Sequence, residues 1–222
     1  NAVVGNAHGM KYQDFLVPGV LGMTLLFGAM LAALTTVYDK ESGVMRMMIV
    51  APLPHAWIVL AKMFSATLAA IVQAALLIVL LLLLGFFRGT DWWILAVAIP
   101  TASLMCAGIG MVTASFSRTL DNFAAAMNFV IFPVFFLSGA LYPVQTLPTV
   151  LKEVARLNPY TYGVDFLKHA ILPASTVHDF SVTLDVVVLI GFSLAALAVA
   201  SWRFSQEQTY EPMIQVLAGK RG

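Results

Sequence analysis

Residues 63–87, MFSATLAAIVQAALLIVLLLLLGFF, decide the class of this fold. The segment has no charged residue between Lys62 and Arg88, and it contains an unbroken run of leucines at 80–84. A helix needs about 20 mostly apolar residues to cross the roughly 30 Å hydrocarbon core of a bilayer. A segment of this length and polarity therefore predicts a transmembrane helix.

Further segments on either side show the same pattern. They are residues 15–38, 92–117, 122–141 and 182–202. The whole chain is 60% hydrophobic and 10% charged, whereas soluble domains carry about a quarter charged residues. Lipid offers the backbone no hydrogen-bond partner, so continuous apolar spans must be helices. The sequence predicts an all-α, polytopic helical membrane protein with five transmembrane helices in this chain.

The lysines and arginines between the spans predict the orientation, because basic loops tend to stay in the cytoplasm. One side holds Lys40, Arg46, Lys62, Arg118, Arg203, Lys220 and Arg221, and the other holds Lys11, Arg88, Lys152, Arg156 and Lys168. The first group is the larger by a small margin. It places residues 39–62 and the tail 203–222 in the cytoplasm and residues 138–181 outside.

Several chemistries have no support in the sequence. The net charge of +1 comes without the basic patch that nucleic-acid binding needs. Cys106 is the single cysteine, so no disulfide can form within the chain. The four histidines are scattered without metal-ligand spacing, and no G-x-x-x-x-G-K-[ST] phosphate loop occurs. We therefore expect no metal site and no cofactor in this chain.

Residues 39–62 form a polar segment that is too long for a simple turn between two spans. Methionines and aliphatic residues follow Gly43, and Pro52 and Pro54 stop any helix there. Trp57 and Lys62 mark the return to the membrane interface. The pattern fits a short helix on the cytoplasmic surface whose methionines contact a partner. It fits an amphipathic loop resting on lipid equally well.

Residues 138–181 have a more regular pattern. Apolar residues recur at helical spacing between Val144 and Leu157. Asn158 followed by Pro159 is typical of a helix N-cap and first turn, which predicts a second helix over 159–171. Two such amphipathic helices favour a hairpin that dips into the outer leaflet over a plain external loop.

Small residues recur in the third span. Ala102, Cys106, Gly110 and Ala114 stand at every fourth position, a pattern that permits close approach of a neighbouring helix. The first span repeats it more briefly at Gly28, Ala32 and Thr36. We interpret Cys106 as a packing residue of this ridge.

The fourth span combines Asn128, Pro133 and several phenylalanines, including Phe132 and Phe136. A proline kinks a helix and frees a carbonyl. A kinked aromatic helix with a buried amide suits the wall of a path for a bulky apolar molecule. Phenylalanines that simply face lipid are the alternative.

Three stretches resemble ABC-2 type transporter permeases. YDKESGVMRMMIVAPLPHAWIVLAK, residues 38–62, is similar to the family's cytoplasmic segment, with Glu-x-Gly at Glu41 and Gly43 before an apolar run and prolines. FLSGALYPVQTLPTVLKEVARLNPYTYGVDFLKHAIL, residues 136–172, looks like its outer hallmark, with Asn-Pro ahead of a helix. YQDFLVPGVLGM, residues 12–23, is similar to the entry into the family's second span. The match covers essentially the whole chain.

The resemblance implies a partner that hydrolyses ATP. Residues 39–62 would be the coupling helix that docks on a separate P-loop ATPase subunit, which would carry ATP and Mg²⁺. The residues that we assign to coupling are Glu41, Gly43, Arg46 and Met47.

The resemblance also implies a dimer of permeases, either a homodimer or a pair with a close paralogue. The substrate would pass between them along the first and fourth spans, and the outer hairpin would form a lid. The residues that we assign to the path are Asn128, Phe132 and Phe136.

The sequence departs from the family pattern in two places. The family usually has six spans, so this chain would lack the first span and the amphipathic helix before it. The second hairpin helix often ends in arginine, where Lys168 and His169 stand here. That exchange keeps positive charge but removes a bidentate donor.

The function expected from this reading is the membrane subunit of a bacterial ABC exporter, in the inner membrane, that moves a hydrophobic drug-like or lipid-linked substrate outward. An exporter of polysaccharide or lipo-oligosaccharide and a non-transporting assembly subunit are the alternatives. A membrane-embedded enzyme acting on lipids would require acids or histidines clustered at one interface, and the sequence shows no such cluster.

Overall fold

A computed structural model describes residues 12–44, 55–87, 89–142, 144–146, 148–172 and 179–219. Within these ranges the chain is helical and contains no strand. The helices are α1 (Tyr12–Glu41), α2 (His55–Leu83), α3 (Trp92–Phe116), α4 (Leu120–Phe136), α5 (Thr149–Leu157), α6 (Pro159–Ile171) and α7 (Val182–Gly219), with a short 3-10 helix at Val144–Thr146. The predicted all-α class is confirmed.

Helices α1, α2, α3 and α7 are long and apolar enough to cross a membrane, over Phe15–Glu41, Ala56–Leu83, Trp92–Phe116 and Val182–Gln206. They correspond to the first, second, third and fifth predicted spans. The fourth predicted span is α4, an apolar helix of 17 residues, at the short end of the membrane-spanning range. It ends at Phe136 rather than at 141, and Gly139 with its positive φ of 73° lies in the turn that follows.

Helix α3 is the centre of the bundle, because it packs against α1, α2, α4, α6 and α7. The predicted ridge of small residues makes these contacts close. A Cβ added at Gly110 of this ridge would lie 2.9 Å from the Cβ of Ala33 on α1. Gly108, which is not part of the ridge, allows a similar approach to α7, since a Cβ added there would lie 2.9 Å from the Cβ of Ala196. Cys106 is fully buried on this ridge, as a packing residue should be.

Helix α6 begins where the sequence predicts. The Asn158 side chain accepts a hydrogen bond from the backbone N–H of Tyr160 at 3.1 Å, and Pro159 occupies the first helical position. The helix is almost entirely buried, and it packs against α1, α3 and α7. Of the two predicted hairpin helices, α5 is the exposed one, and α6 is part of the bundle core.

Candidate functional site

The last turn of α1 contacts the junction between α3 and α4. The Lys40 ammonium donates to the carbonyl oxygens of Ala114 and Ser115, each at 3.1 Å, at the end of α3. The neighbouring Glu41 carboxylate accepts a hydrogen bond from the backbone N–H of Leu120, at 3.0 Å, at the start of α4. Cations favour helix C-termini and anions favour helix N-termini, so both contacts suit the helix dipoles. We call Lys40 and Glu41 the junction pair.

A salt bridge between Lys62 and Asp39 joins the start of α2 to the end of α1. Both side chains retain some exposure to solvent. The two ends of the polar segment 39–62 are therefore held side by side, at the same end of the bundle as the junction pair. We call this region the docking end.

The predicted coupling residues lie in two kinds of place. Glu41 is exposed and belongs to the junction pair. Gly43 adopts a positive φ of 78°, and a Cβ there would meet no atom within 4 Å in the described part of the chain. Arg46 and Met47 lie outside the described residues, as does the surface helix predicted from the methionines.

The predicted path residues share one exposed face of α4. Asn128, Phe132 and Phe136 are spaced four residues apart, and the rings of Phe132 and Phe136 stack with centroids 6.2 Å apart. The opposite face packs on α1 and α3 through buried side chains such as Phe123 and Ile131. We call the exposed stripe the aromatic face.

The expectation of a buried amide in α4 was wrong. The Asn128 side chain is exposed, and its amide donates to the carbonyl oxygen of Ala124 one turn earlier in the same helix, at 2.9 Å. The reason is the position of α4 at the side of the bundle, which covers one face of the helix and leaves the face of Asn128 uncovered within this chain.

The far end of α4 is bonded to the hairpin. The Asn158 side-chain amide donates to the carbonyl oxygen of Val134 at 2.7 Å. The Tyr142 hydroxyl donates to the carbonyl oxygen of Phe136. Helix α4 is thus hydrogen-bonded to Glu41 of the junction pair at its start and to Asn158, the residue before α6, near its end.

A buried group of charged side chains lies where α6 meets α7, and it consists of Asp165, Lys168, His169, Asp179 and Asp185. The Asp165 carboxylate accepts the backbone N–H groups of Asp179 at 3.1 Å and Phe180 at 2.8 Å. Lys168 pairs with Asp179 at 3.3 Å, and His169 Nε2 lies 3.0 Å from the carbonyl oxygen of Phe180. We call this group the hairpin cluster.

Burial raises the pKa of the Asp165 carboxyl above its ordinary value. The two backbone N–H bonds and the Lys168 ammonium oppose that rise, since each favours the charged form.

The hairpin cluster contradicts the expectation that no acids and histidines gather at one interface. Asp165 and His169 are four residues apart, so they lie on the same face of one helix. That spacing was visible in the sequence once the helix over 159–171 had been predicted. Asp185 belongs to another helix, and only the packing of α6 on α7 brings it close.

A comparison of the chain with protein-family models gives a match to the ABC-2 type transporter over residues 2–172. The chain belongs to the ABC-2 type transporter family. The matched region includes the docking end, the aromatic face of α4 and both hairpin helices. Family membership makes this chain a transport permease, and the described helices make it a multi-pass membrane protein.

Curated relatives of this ABC-2 permease include nodulation protein J of Rhizobium leguminosarum bv. trifolii, with 29% identity over 201 residues, 87% of this chain and 75% of the relative. They also include the inner membrane transport permease YadH of Escherichia coli K12, with 22% identity over 193 residues, 86% of this chain and 74% of the relative.

Proposed function

We propose that this ABC-2 permease is the membrane subunit of an ATP-driven exporter and that residues 39–62 dock on a separate P-loop ATPase. The observation that carries the proposal is the attachment of α4 at both ends. Glu41 holds its first backbone N–H at the docking end, and Asn158 holds the carbonyl of Val134 at the hairpin. A helix held in this way can pass a displacement from one end of the bundle to the other.

The junction pair supports the coupling role of the docking end. Lys40 and Glu41 are adjacent in sequence and bond to two successive helices, so a shift of this turn moves the end of α3 and the start of α4 together. The short connection at 117–119 leaves little slack between those helices. A partner that pulls on residues 39–62 would therefore act directly on α4.

The aromatic face supports a path for an apolar substrate. Phe129, Phe132 and Phe136 are 81%, 52% and 48% exposed within this chain, and stacked rings bind planar or aliphatic groups by dispersion and exclusion of water. A second permease copy, identical or a close paralogue, would face this surface and complete the path. The cargo that fits is a hydrophobic drug-like or lipid-linked molecule.

The hairpin supports the role of an outer lid. The apolar residues Val150 and Leu157 of α5 are 76% and 84% exposed, as expected for a helix that rests in the lipid interface. The lysine and arginine distribution supports a bacterial inner membrane protein with residues 39–62 on the cytoplasmic side and residues 138–181 outside. The ATP and Mg²⁺ of the cycle would belong to the partner subunit.

The test is co-purification of the tagged full-length permease in mild detergent, followed by mass spectrometry of its partners. We expect a P-loop ATPase to co-purify with the parent chain in stoichiometric amount. The double charge-reversal variant, Glu41→Lys with Arg46→Glu, should lose it. The matched control is Glu153→Lys with Arg156→Glu, because these residues form an exposed pair on α5, away from the docking end. Equal loss of the ATPase from both variants, or no ATPase with the parent chain, would refute the docking assignment.

Transport into inverted membrane vesicles separates the remaining candidates. ATP-dependent uptake of an apolar fluorescent dye supports the apolar path. Uptake of a labelled oligosaccharide or lipo-oligosaccharide instead would assign the chain to that class of exporter. A complex that binds the ATPase but moves neither cargo would be a non-transporting assembly subunit.

A further inference from the structure

Three side chains of the hairpin cluster converge on one point between α6 and α7. Each of Asp165, His169 and Asp185 offers a ligand atom, and these atoms all lie within 4.8 Å of one another. His169 Nε2 is 3.6 Å from Asp165 Oδ2 and 3.8 Å from Asp185 Oδ2. Ligand atoms that surround a tetrahedral zinc ion at about 2.0–2.1 Å lie about 3.4 Å apart, so a small inward movement would close the set around such an ion.

The carboxylate of Asp185 is the independent observation that points to a ligand. Its side chain is completely buried, and neither oxygen has a hydrogen-bond partner among the residues that the structure describes. Asp165 differs, because both of its oxygens accept backbone N–H groups. A buried carboxylate without hydrogen bonds is costly unless another charge or a metal compensates it.

Among the described residues, the cluster also holds more acidic groups than basic ones. Asp165, Asp179 and Asp185 supply three carboxyl groups, whereas Lys168 supplies one ammonium and His169 is charged only when protonated. Lys168 is already engaged with Asp179 and lies over the ring of Phe15, 5.3 Å from its centroid. If all three carboxyl groups are ionised and the imidazole binds the metal in its neutral form, the cluster would carry two net negative charges, which one divalent cation would neutralise.

We propose that Asp165, His169 and Asp185 form a binding site for a divalent transition-metal ion, with Zn²⁺ as the best fit. One imidazole with two carboxylates is a set that zinc accepts, whereas Mg²⁺ and Ca²⁺ prefer oxygen ligands alone. The carbonyl oxygen of Phe180 lies 3.0 Å from His169 Nε2 and can only accept, so this contact is a hydrogen bond when Nε2 carries the proton, and zinc would replace it. Binding requires the imidazole tautomer that carries its proton on Nδ1.

The proposed ion would tie the hairpin to the last span. Asp165 and His169 belong to α6, and Asp185 belongs to the first turn of α7. The His169 side chain keeps 15% of its surface exposed, which gives the ion a route from solvent, whereas Asp165 and Asp185 have none. The proposal does not depend on ATP-driven export, so either can fail without the other.

The test measures zinc in the purified full-length permease. The protein in mild detergent is stripped with EDTA, dialysed against ZnCl₂, and analysed by inductively coupled plasma mass spectrometry, with MgCl₂ and CaCl₂ in parallel. We expect about one zinc per chain and no retained Mg²⁺ or Ca²⁺. Asp185→Asn should weaken zinc binding at least about tenfold, as should His169→Gln, because even indirect partners of metal ligands change affinity by that amount.

The matched control is Asp179→Asn, which removes one negative charge from the same buried cluster but no proposed ligand. It should keep zinc affinity within a few-fold of the parent chain. Added zinc should raise the thermal unfolding midpoint of the parent and of Asp179→Asn, and leave that of Asp185→Asn unchanged.

Asp185→Asn removes no hydrogen bond of the described structure, because neither oxygen of the carboxylate has a hydrogen-bond partner there, and gel filtration checks that the variant folds. No stoichiometric zinc in the parent chain would overturn the proposal whatever the variants do. Equal zinc affinity in the parent and in both ligand variants would also overturn it, and would leave the cluster as an ionic contact between helices.

Discussion

The two ends of this bundle both carry charged side chains, but they use them differently. At the docking end, Asp39 and Lys62 pair with 16% and 21% of their side chains exposed, and the junction pair bonds to helix termini. At the hairpin end, Asp165 and Asp185 are completely buried, and Lys168 and Asp179 are 3% and 5% exposed. Partly exposed pairs contribute less and exchange partners more readily than fully buried pairs, which are costly to break. The docking end is suited to changing partners, and the hairpin end is suited to staying fixed.

The largest effect should come from the buried carboxylate of Asp165. We expect Asp165→Ala to lower the free energy of unfolding by about 3–5 kcal/mol, because it strands two backbone N–H groups and part of an ionic network. Thermal unfolding in detergent with EDTA measures this without a contribution from bound metal. Glu153→Ala, on the exposed face of α5, is the control and should change the midpoint little. Equal stability of the two variants would remove the contrast between the ends.

A smaller effect should follow from overpacking the contact between α1 and α3. The Cβ of Gly110→Ala would lie 2.9 Å from the Cβ of Ala33 and 3.2 Å from the backbone oxygen of Ala29. We expect a loss of about 1–3 kcal/mol from overpacking. Gly191→Ala is the matched control, since its Cβ meets no atom within 4 Å in the described structure. An unchanged melting temperature for Gly110→Ala would mean that the helices can separate there at little cost.

The link between the hairpin and α4 should be weaker still. Asn158→Ala removes both the cap of α6 and the bond to Val134, at a cost of about 1–2 kcal/mol. Asn158→Asp separates the two roles, because a carboxylate can accept from Tyr160 but cannot donate to the carbonyl of Val134. Hydrogen exchange should then increase at the end of α4 in both variants and at the start of α6 only in Asn158→Ala. Unchanged exchange at the end of α4 in Asn158→Asp would argue against the link.

The smallest effect should be at the docking end. Lys62→Met breaks the partly exposed pair with Asp39, and a double-mutant cycle with Asp39→Asn should give a coupling free energy below about 1 kcal/mol. Chemical unfolding in mixed micelles measures the cycle. A coupling as large as the loss predicted for Asp165→Ala would show that the docking end is as fixed as the hairpin end.

Local chemistry explains what the sequence predicted well. Asn158 and Pro159 mark the start of α6 because their cap and first-turn preferences act over a few residues. The apolar segments identify the long helices for a similar reason. The charged residues that flank these segments predicted the helix ends poorly. Lys62 lies inside α2, which begins at His55, because a charged residue at the interface can continue a helix that leaves the membrane.

The parts that the sequence could not predict depend on packing between distant segments. The amphipathic helix predicted over 159–171 is instead almost entirely buried, because Asp165, Lys168 and His169 find partners near residue 180 and on α7. The exposure of Asn128 follows from the lateral position of α4, which no local pattern records. The bond from Glu41 to Leu120 spans 79 positions of sequence, and only the folded bundle brings the two together.

The central claim is that the docking end acts on α4 through Glu41. Hydrogen–deuterium exchange of the permease–ATPase complex, with and without ATP, tests it directly and needs no known substrate. We predict that ATP changes exchange along residues 120–136 in the parent chain and in Glu41→Gln, which keeps an acceptor for the N–H of Leu120, and that the change is largely lost in Glu41→Ala. An undiminished response of α4 in Glu41→Ala, with the ATPase still bound, would contradict the account.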